Sequence, residues 1–497
     1  MSYHGIILTD AISPHRIRPM GAYVIANELR KHGYNILVID FYYQMGNRLE
    51  ELLASAIDSN TIFVGYSSSL FASKRMGIFL PDNNYEHFTK TNRFIKSLNP
   101  AIQILFGGAN SKAIAAFNLK HRHNLGVDYV MHGYSESMIV DFLNNIKNNL
   151  PQTVRSTYNN LKEIDYDFKA EKFQFNKSCH SWSDQDAILK NEVLPLEVAR
   201  GCIFKCKFCA YPLLGKNPND NSYIKQEDIL LREILENYEK YNTTNYFIID
   251  DTFNERTDKI QLLLNVRDRS KLDLNFGAFN RIELISRKPE QVYLLKDLGL
   301  NSMFFGIESL NYESAKAIGK GIKKEEIAET LAKIKQVFNN KVSLTTGLII
   351  GLPHETEETF RKNFEWITRE DSGADTITIS PLELATSTHT ESSFISNPEK
   401  YGYKIINSNG SWVSEHWTSE RCRELTMSYS LEIRKSGRQK VSSYAALVLS
   451  GLGYDFQSLI KTSEKDLDYS IIEEQKKVFI DTYVGQLKNF TTSVTDT

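Results

Sequence analysis

The sequence predicts an α/β protein with a Rossmann-like N-terminal domain, a partial (β/α)6 barrel of the TIM type and a helical C-terminal region. Three observations carry this. Short apolar runs alternate with helix-length segments over residues 1–150, and the alternation lapses over 151–190. It resumes over 191–388, and beyond 389 only helical spacing is left. The predicted parts are therefore 1–150, a linker arm at 151–190, the barrel at 191–388 and a mostly helical region at 389–497.

In the first part, "HGIILTD" (4–10) is a short apolar strand. "PMGAYVIANELRKHG" (19–33) follows with helical spacing, closed by basic residues and a glycine. "NILVID" (35–40), "TIFVGYS" (61–67), "IQILFGG" (102–108) and "DYVMHG" (128–133) continue the pattern. Such runs between helices indicate a buried parallel sheet, which binds ligands at the carboxyl ends of its strands. "PQTVRSTYNN" and "NKSCHSWSDQD" are polar and turn-rich, as a linker would be.

The second part offers six strands: "VLPLEVA" (193–199), "TNYFIID" (244–250), "LNFGAF" (274–279), "SMFFGIE" (302–308), "VSLTTGLIIG" (342–351) and "DTITISP" (375–381). Each leaves room for a helix, which describes most of a barrel but not all eight strands. In the last part, 419–437 reads as a helix with a glycine stop. Over 471–490, Ile472, Phe479, Tyr483 and Leu487 share one helical face.

Composition narrows the function. The 497 residues carry a formal charge of −2, with 59 basic and 61 acidic side chains, and no Lys/Arg run marks a nucleic-acid binder. No stretch approaches the ~20 apolar residues of a membrane span. The N-terminus has no basic segment leading into an apolar core, so a cytoplasmic protein is expected. Five cysteines in this length do not make a disulfide framework.

Three of the five are packed together in "EVARGCIFKCKFCAYPL" (197–213), at Cys202, Cys206 and Cys209. The C-x3-C-x2-C spacing falls on the loop after the first barrel strand, where barrel active sites sit. Thiolates suit zinc or iron–sulfur clusters. A [4Fe–4S] cluster held by three cysteines keeps one iron open to another ligand. A structural zinc site with Cys179 or His180 as fourth ligand is the alternative, although zinc sites usually show two spaced ligand pairs.

With Phe208 before the last cysteine and "ARGC" before the first, this stretch resembles the radical S-adenosylmethionine (SAM) enzymes. The resemblance covers about 193–385. It implies that SAM chelates the open iron through its amino and carboxylate groups, and that an electron from the cluster releases a 5′-deoxyadenosyl radical. It further implies a donor such as a flavodoxin or ferredoxin. Asp250, Asp251 and Thr252 in "IIDDTFN" stand where the family binds the SAM amino group; an Asp N-cap is the plainer reading. Arg281 would pair with the SAM carboxylate, or make a surface ion pair. Glu308 and Ser309 in "FFGIES" match the ribose contact. Gly347 and Gly351 in "GLIIGLPHET" match a run that lets backbone approach the adenine.

An α/β domain ahead of such a barrel is similar to the cobalamin-binding subgroup. "GYSSSL" with Ser68 and Leu70, "LFGGAN" with Gly107 and Gly108, and "DYVMHGYSES" stand at that subgroup's turns. The D-x-H-x-x-G run that supplies a cobalt ligand is absent, since Asp10 and His15 have other spacing. A domain that has lost its cofactor and only shapes the cleft is the alternative. With cobalamin, the resemblance implies methylation of an unactivated carbon or phosphorus in a small-molecule or peptide substrate. Without it, rearrangement, cyclisation or epimerisation follows. A zinc-stabilised binding protein is the non-enzymatic alternative.

Overall fold

The computed structural model describes residues 2–11, 16–72, 82–108, 111, 125–158, 160–165, 173–209, 219–384, 392–406 and 410–491. His15, Ala109 and Asn110 lie outside them.

The first sheet has seven strands: β1 (Gly5–Leu8), β2 (Ile36–Ile39), β3 (Phe63–Ser67), β4 (Gln103–Gly108), β5 (Tyr129–His132), β6 (Ser156–Tyr158) and β7 (Leu161–Asp165). Their order is β2-β1-β3-β4-β5-β7-β6, parallel except for the antiparallel β6–β7 pair. Strands β1 and β2 are buried at every position, as expected of a sheet covered on both faces. The order reverses between β1 and β3, where open α/β sheets place their ligands. Helix α1 (Met20–Lys31) ends on Arg30 and Lys31, and Gly33 behind it takes φ +82°, the left-handed stop that glycine allows.

The hairpin β6–β7 corrects one expectation. Residues 156–165 lie in the stretch expected as linker, yet they extend the sheet through β7 on β5. Leu161 and Ile164 are the buried apolar anchors, and two are too few to stand out against "LKEID". Farther on, the arm is pinned to the first domain. The buried Arg18 forks onto Glu192 at 2.5 and 2.9 Å and donates to the carbonyls of Asp186 and Ala187, while Arg30 clasps Asp186.

The second sheet comprises β8 (Leu194–Leu196), β9 (Asn245–Ile248), β10 (Asn275–Asn280), β11 (Leu300–Glu308), β12 (Ser343–Ile350) and β13 (Thr376–Pro381). All six are parallel and lie in chain order. Between them run α2 (Glu227–Tyr241), α3 (Thr257–Ser270), α4 (Gln291–Leu298), α5 (Lys324–Val337) and α6 (Glu357–Ile367).

The C-terminal region is divided between the two sheets. Helix α7 (Ser419–Ser436) packs on β13, and α8 (Ser443–Ser450) packs on β10, β11 and β12. Helix α9 (Tyr469–Thr491) buries Phe479, Tyr483 and Leu487 in the core of the first sheet, and its Ile472 in a smaller cluster beside α8. The Tyr483 hydroxyl accepts from the backbone N–H of Asp40 at 2.8 Å. Among the described residues, no helix is long and apolar enough to cross a membrane.

Candidate active site

The cysteine loop leaves β8 and is buckled by a buried ion cluster. Asp250, just past β9, accepts from the N–H groups of Val198 and Ala199 at 2.8 and 2.9 Å. Its other oxygen takes Lys259 at 3.0 Å, and Lys259 also holds Glu255 at 3.1 Å. Glu255 in turn accepts from the Ile203 N–H at 3.3 Å, inside the cysteine loop. Every charged side chain of the Asp250–Lys259 pair is fully buried. Gly201, with φ +93°, turns the chain immediately before Cys202, which explains a glycine there.

The three thiols are partly exposed, and two of them meet polar side chains from the neighbouring strand ends. Cys202 lies 3.5 Å from the Thr252 hydroxyl. The Arg281 guanidinium donates to the Cys206 sulfur at 3.2 Å, is paired with Glu283 at 2.6 Å and sits over the Phe204 ring at 4.0 Å. The Cys209 N–H closes a turn onto Cys206 at 3.1 Å. A cation aimed at the Cys206 sulfur suits a thiolate-bound cluster, whose properties follow from such hydrogen bonds. The zinc alternative finds no support in these positions. His180, one of its two candidate fourth ligands, is buried edge-on to Trp182 at 4.7 Å.

The remaining predicted residues divide. Asp251 is exposed at the rim, whereas Asp250 is consumed by the buckle, so the sequence assignment of Asp250 to SAM is corrected. Glu308 is held in the left-handed region (φ +68°), faces Lys320 at 3.4 Å and has its carboxyl pushed up by burial. Ser309 is buried and occupied. Its hydroxyl donates to Glu355 at 3.1 Å and accepts from the Asn311 N–H at 3.0 Å, which removes it from the ribose contact. At Gly347 a Cβ would meet Phe304 at 2.9 Å. Gly351 (φ +105°) is corrected as well: a Cβ there would strike Cys422 and Trp412 at 2.8 Å, so the C-terminal region accounts for that glycine.

A second site lies over the first sheet. A cavity of about 420 Å³ is lined by the ends of β3, β4 and β5, by the start of α1 and by residues beyond β8. That volume is within the range of ligand sites. Ser68, Gly107 and Gly108 line it. Gly108 has φ +121°, and a Cβ there would lie 2.4 Å from the Ser68 hydroxyl. Leu70 does not line it. Its side chain is fully buried in the core on the other face of the sheet, a correction that the Ser-x-Leu pattern gave no means to foresee.

Sequence reasoning missed the residues between the two sites. Arg200, nine-tenths buried, donates to Glu136 at 2.5 Å and forks onto Glu197 at 2.8 and 2.9 Å. Tyr134 and Phe175 sandwich it at 4.8 and 4.6 Å. Arg200, Glu136, Glu197 and Tyr134 all line the cavity. The signal was present, since Arg200 belongs to the "ARGC" run that served only to flag Cys202.

Fold and sites define an α/β protein with a three-thiol loop at one sheet and a glycine-walled cavity over another. Residues 196–367 match the Radical SAM superfamily and residues 11–143 match the B12 binding domain. The chain thus carries a radical SAM domain and a B12-binding domain; the cofactors of such domains are a [4Fe–4S] cluster, SAM and cobalamin. Over 162 residues it is 27% identical to an uncharacterised methyltransferase of Pyrococcus horikoshii, covering 32% of this chain and 33% of that one. Over 135 residues it is 30% identical to bacteriochlorophyllide d C-8(2)-methyltransferase of Chlorobaculum tepidum, covering 26% and 29%. The chain thus spans about a third of the length of these curated relatives.

In structure it is similar to the cobalamin-dependent SAM radical enzyme OxsB solved with aqua-cobalamin and SAM (TM-score 0.61, 15% identity, 99% of this chain, 78% of that chain). It is also similar to the radical SAM methyltransferase TsrM from Kitasatospora setae (TM-score 0.57, 14% identity, 81% and 79%). At these identities the likeness is one of fold.

Proposed function

We propose that the protein is a cobalamin-dependent radical SAM methyltransferase acting on an unactivated carbon, or a phosphorus centre, of a small molecule or peptide. The observation that carries this reading is Arg200. Its side chain walls the cavity and its backbone leads into Cys202 two residues on, so one residue belongs to both sites. When bound, the cluster with SAM supplies a 5′-deoxyadenosyl radical and the cobalamin supplies a methyl group.

The chain's own residues have separable tasks. Cys202, Cys206 and Cys209 hold the cluster, and the Asp250–Lys259–Glu255 buckle fixes their loop. Arg281 directs a cation at the Cys206 sulfur, which offsets the charge of that thiolate, and Thr252 sits beside Cys202. Asp251 would accept from the SAM amino group and Glu308 from ribose hydroxyls. Gly107, Gly108 and Ser68 let the corrin approach the backbone. A flavodoxin- or ferredoxin-type donor delivers the electron.

In domain terms, a Rossmann-like B12-binding domain (1–150, extended by the 156–165 hairpin) joins through the arm to 190. A partial (β/α)6 barrel follows at 191–388. Parallel pairing in chain order, with a helix after each of β8 to β12, supports the barrel. The region 389–497 serves both.

The test is anaerobic reconstitution followed by incubation with SAM, reductant and hydroxocobalamin, which the reductant takes to the cob(I)alamin that can accept the methyl group of SAM. Iron–sulfur absorbance with 5′-deoxyadenosine and S-adenosylhomocysteine as products supports the reading. No iron–sulfur absorbance and no SAM cleavage would overturn it, as would both surviving in Cys206→Ala. Cleavage without S-adenosylhomocysteine would leave radical chemistry and remove methyl transfer.

A further inference from the structure

We propose that the concave face of the second sheet forms an aromatic-walled chamber for a flat, apolar group of the methyl acceptor, with Phe279 as the specificity-determining wall. The proposal rests on the methyltransferase reading for the direction from which the substrate is attacked.

Phe279 is the exposed position of β10, a strand otherwise buried or half-buried, and 38% of its surface is open. Its ring is held edge-on by Phe247 at 5.2 Å (80°) and by Phe304 at 5.3 Å (73°). Two T-shaped neighbours fix the ring and leave its remaining surface to a third partner. Phe304 is fixed in turn by lying across Gly347.

The chamber has a floor. Tyr444 of α8 stands edge-on to Phe247 at 5.1 Å, and Leu447 of α8 comes so close to Gly277 that a Cβ would lie 2.7 Å away. The N–H of Ser443, at the start of α8, is satisfied by Thr345 at 3.0 Å, which ties the helix to β12. A glycine at 277 is therefore needed to admit the floor helix, not a ligand.

The position of the chamber gives it a function. Ile249 lines the cavity over the first sheet and also packs on the group formed by Val193, Phe247 and Leu447. The aromatic group thus adjoins the site that would hold the methyl source. Two residues farther along the chain from Phe279, about 6.6 Å at the rise of a parallel strand, Arg281 touches Cys206. An acceptor against Phe279 lies between the two cofactor sites. The strand partners of Phe279 and Phe304 at this level are each other and Thr345, and none is charged. The chemistry recognised is an uncharged aromatic or comparably flat group.

The test uses reconstituted holoprotein loaded with SAM and hydroxocobalamin, in anaerobic equilibrium dialysis against indole, 2-naphthol and cyclohexanol. Wild type retains the two flat probes and not cyclohexanol. Phe279→Leu, which keeps apolar bulk without a ring, weakens indole about tenfold. Phe279→Trp, which fills the chamber, abolishes retention. The proposal is overturned if wild type retains neither flat probe, retains cyclohexanol equally well, or is matched by both variants. Iron and cobalamin are assayed in every sample. Normal contents with failed probes sink this inference alone; a wild type that takes up neither cofactor sinks the function reading and this proposal with it.

Discussion

The strand ends of the two sheets finish in opposite chemistry. Over the first sheet, Ser68 follows β3 and Gly107 and Gly108 end β4, and they line a cavity of about 420 Å³. Over the second, the turns end in Asp250, Arg281 and Glu308, each already engaged by Lys259, Glu283 or Lys320. The first arrangement keeps backbone bare for a large, mostly uncharged body. The second sets charges in place before a ligand arrives, so little reorganisation is needed to receive a small zwitterion beside a cluster. Bare strand ends beside the Arg200–Glu136–Glu197 cluster build one site, and paired charges at the strand ends build the other.

The largest effect should come from filling the bare site. Gly108→Val puts a branched side chain at φ +121° where even a Cβ would strike Ser68. Cobalamin retention after desalting should be lost, with iron content unchanged. On the charged side, Lys259→Met strips from Asp250 and Glu255 the buried cation that they share. Removing one partner of a buried ion cluster costs about 3–5 kcal/mol. The urea midpoint should fall accordingly, and the cysteine loop should hold less iron.

A smaller, pH-dependent effect is expected at Glu355, where burial pushes the carboxyl from 4.5 up to about 7. An acid whose folded pKa exceeds its unfolded pKa favours the fold fully below pH 4.5. That contribution is lost as pH rises through 7, by roughly 3 kcal/mol at most. Glu355→Gln lacks the dependence, so urea unfolding of wild type and variant between pH 5 and 8 should diverge, with the variant gaining as pH rises. The smallest effect is at Trp417→Phe, which removes the indole donor to the Glu355 carbonyl at 2.7 Å. About 1 kcal/mol should be lost.

The comparison also explains what the sequence could disclose. Apolar runs revealed the sheets because strands buried on both faces need continuous apolar residues, and "NILVID" has no other common use. Gly107 and Gly108 were legible because a bare turn must be written in glycine. The charged rim was legible only as positions. "IDD" announces two carboxylates, but which one is spent on backbone N–H groups depends on Lys259, nine residues after Asp250 and unmarked by any motif. Ser309 failed for the same reason, through Glu355 46 residues on. The hairpin at 156–165 was missed because two apolar anchors suffice when a sheet edge supplies the pairing. The docking of α9 into the first core was beyond reach, since its apolar face states burial and not the partner.

The central claim is that the two unlike sites adjoin through Arg200 and serve one reaction. The most direct measurement is electron paramagnetic resonance of protein loaded with both cob(II)alamin and the reduced [4Fe–4S] cluster. The account predicts dipolar broadening of each signal by the other, absent from samples loaded with one cofactor alone. Two full-intensity signals with no mutual coupling would contradict it.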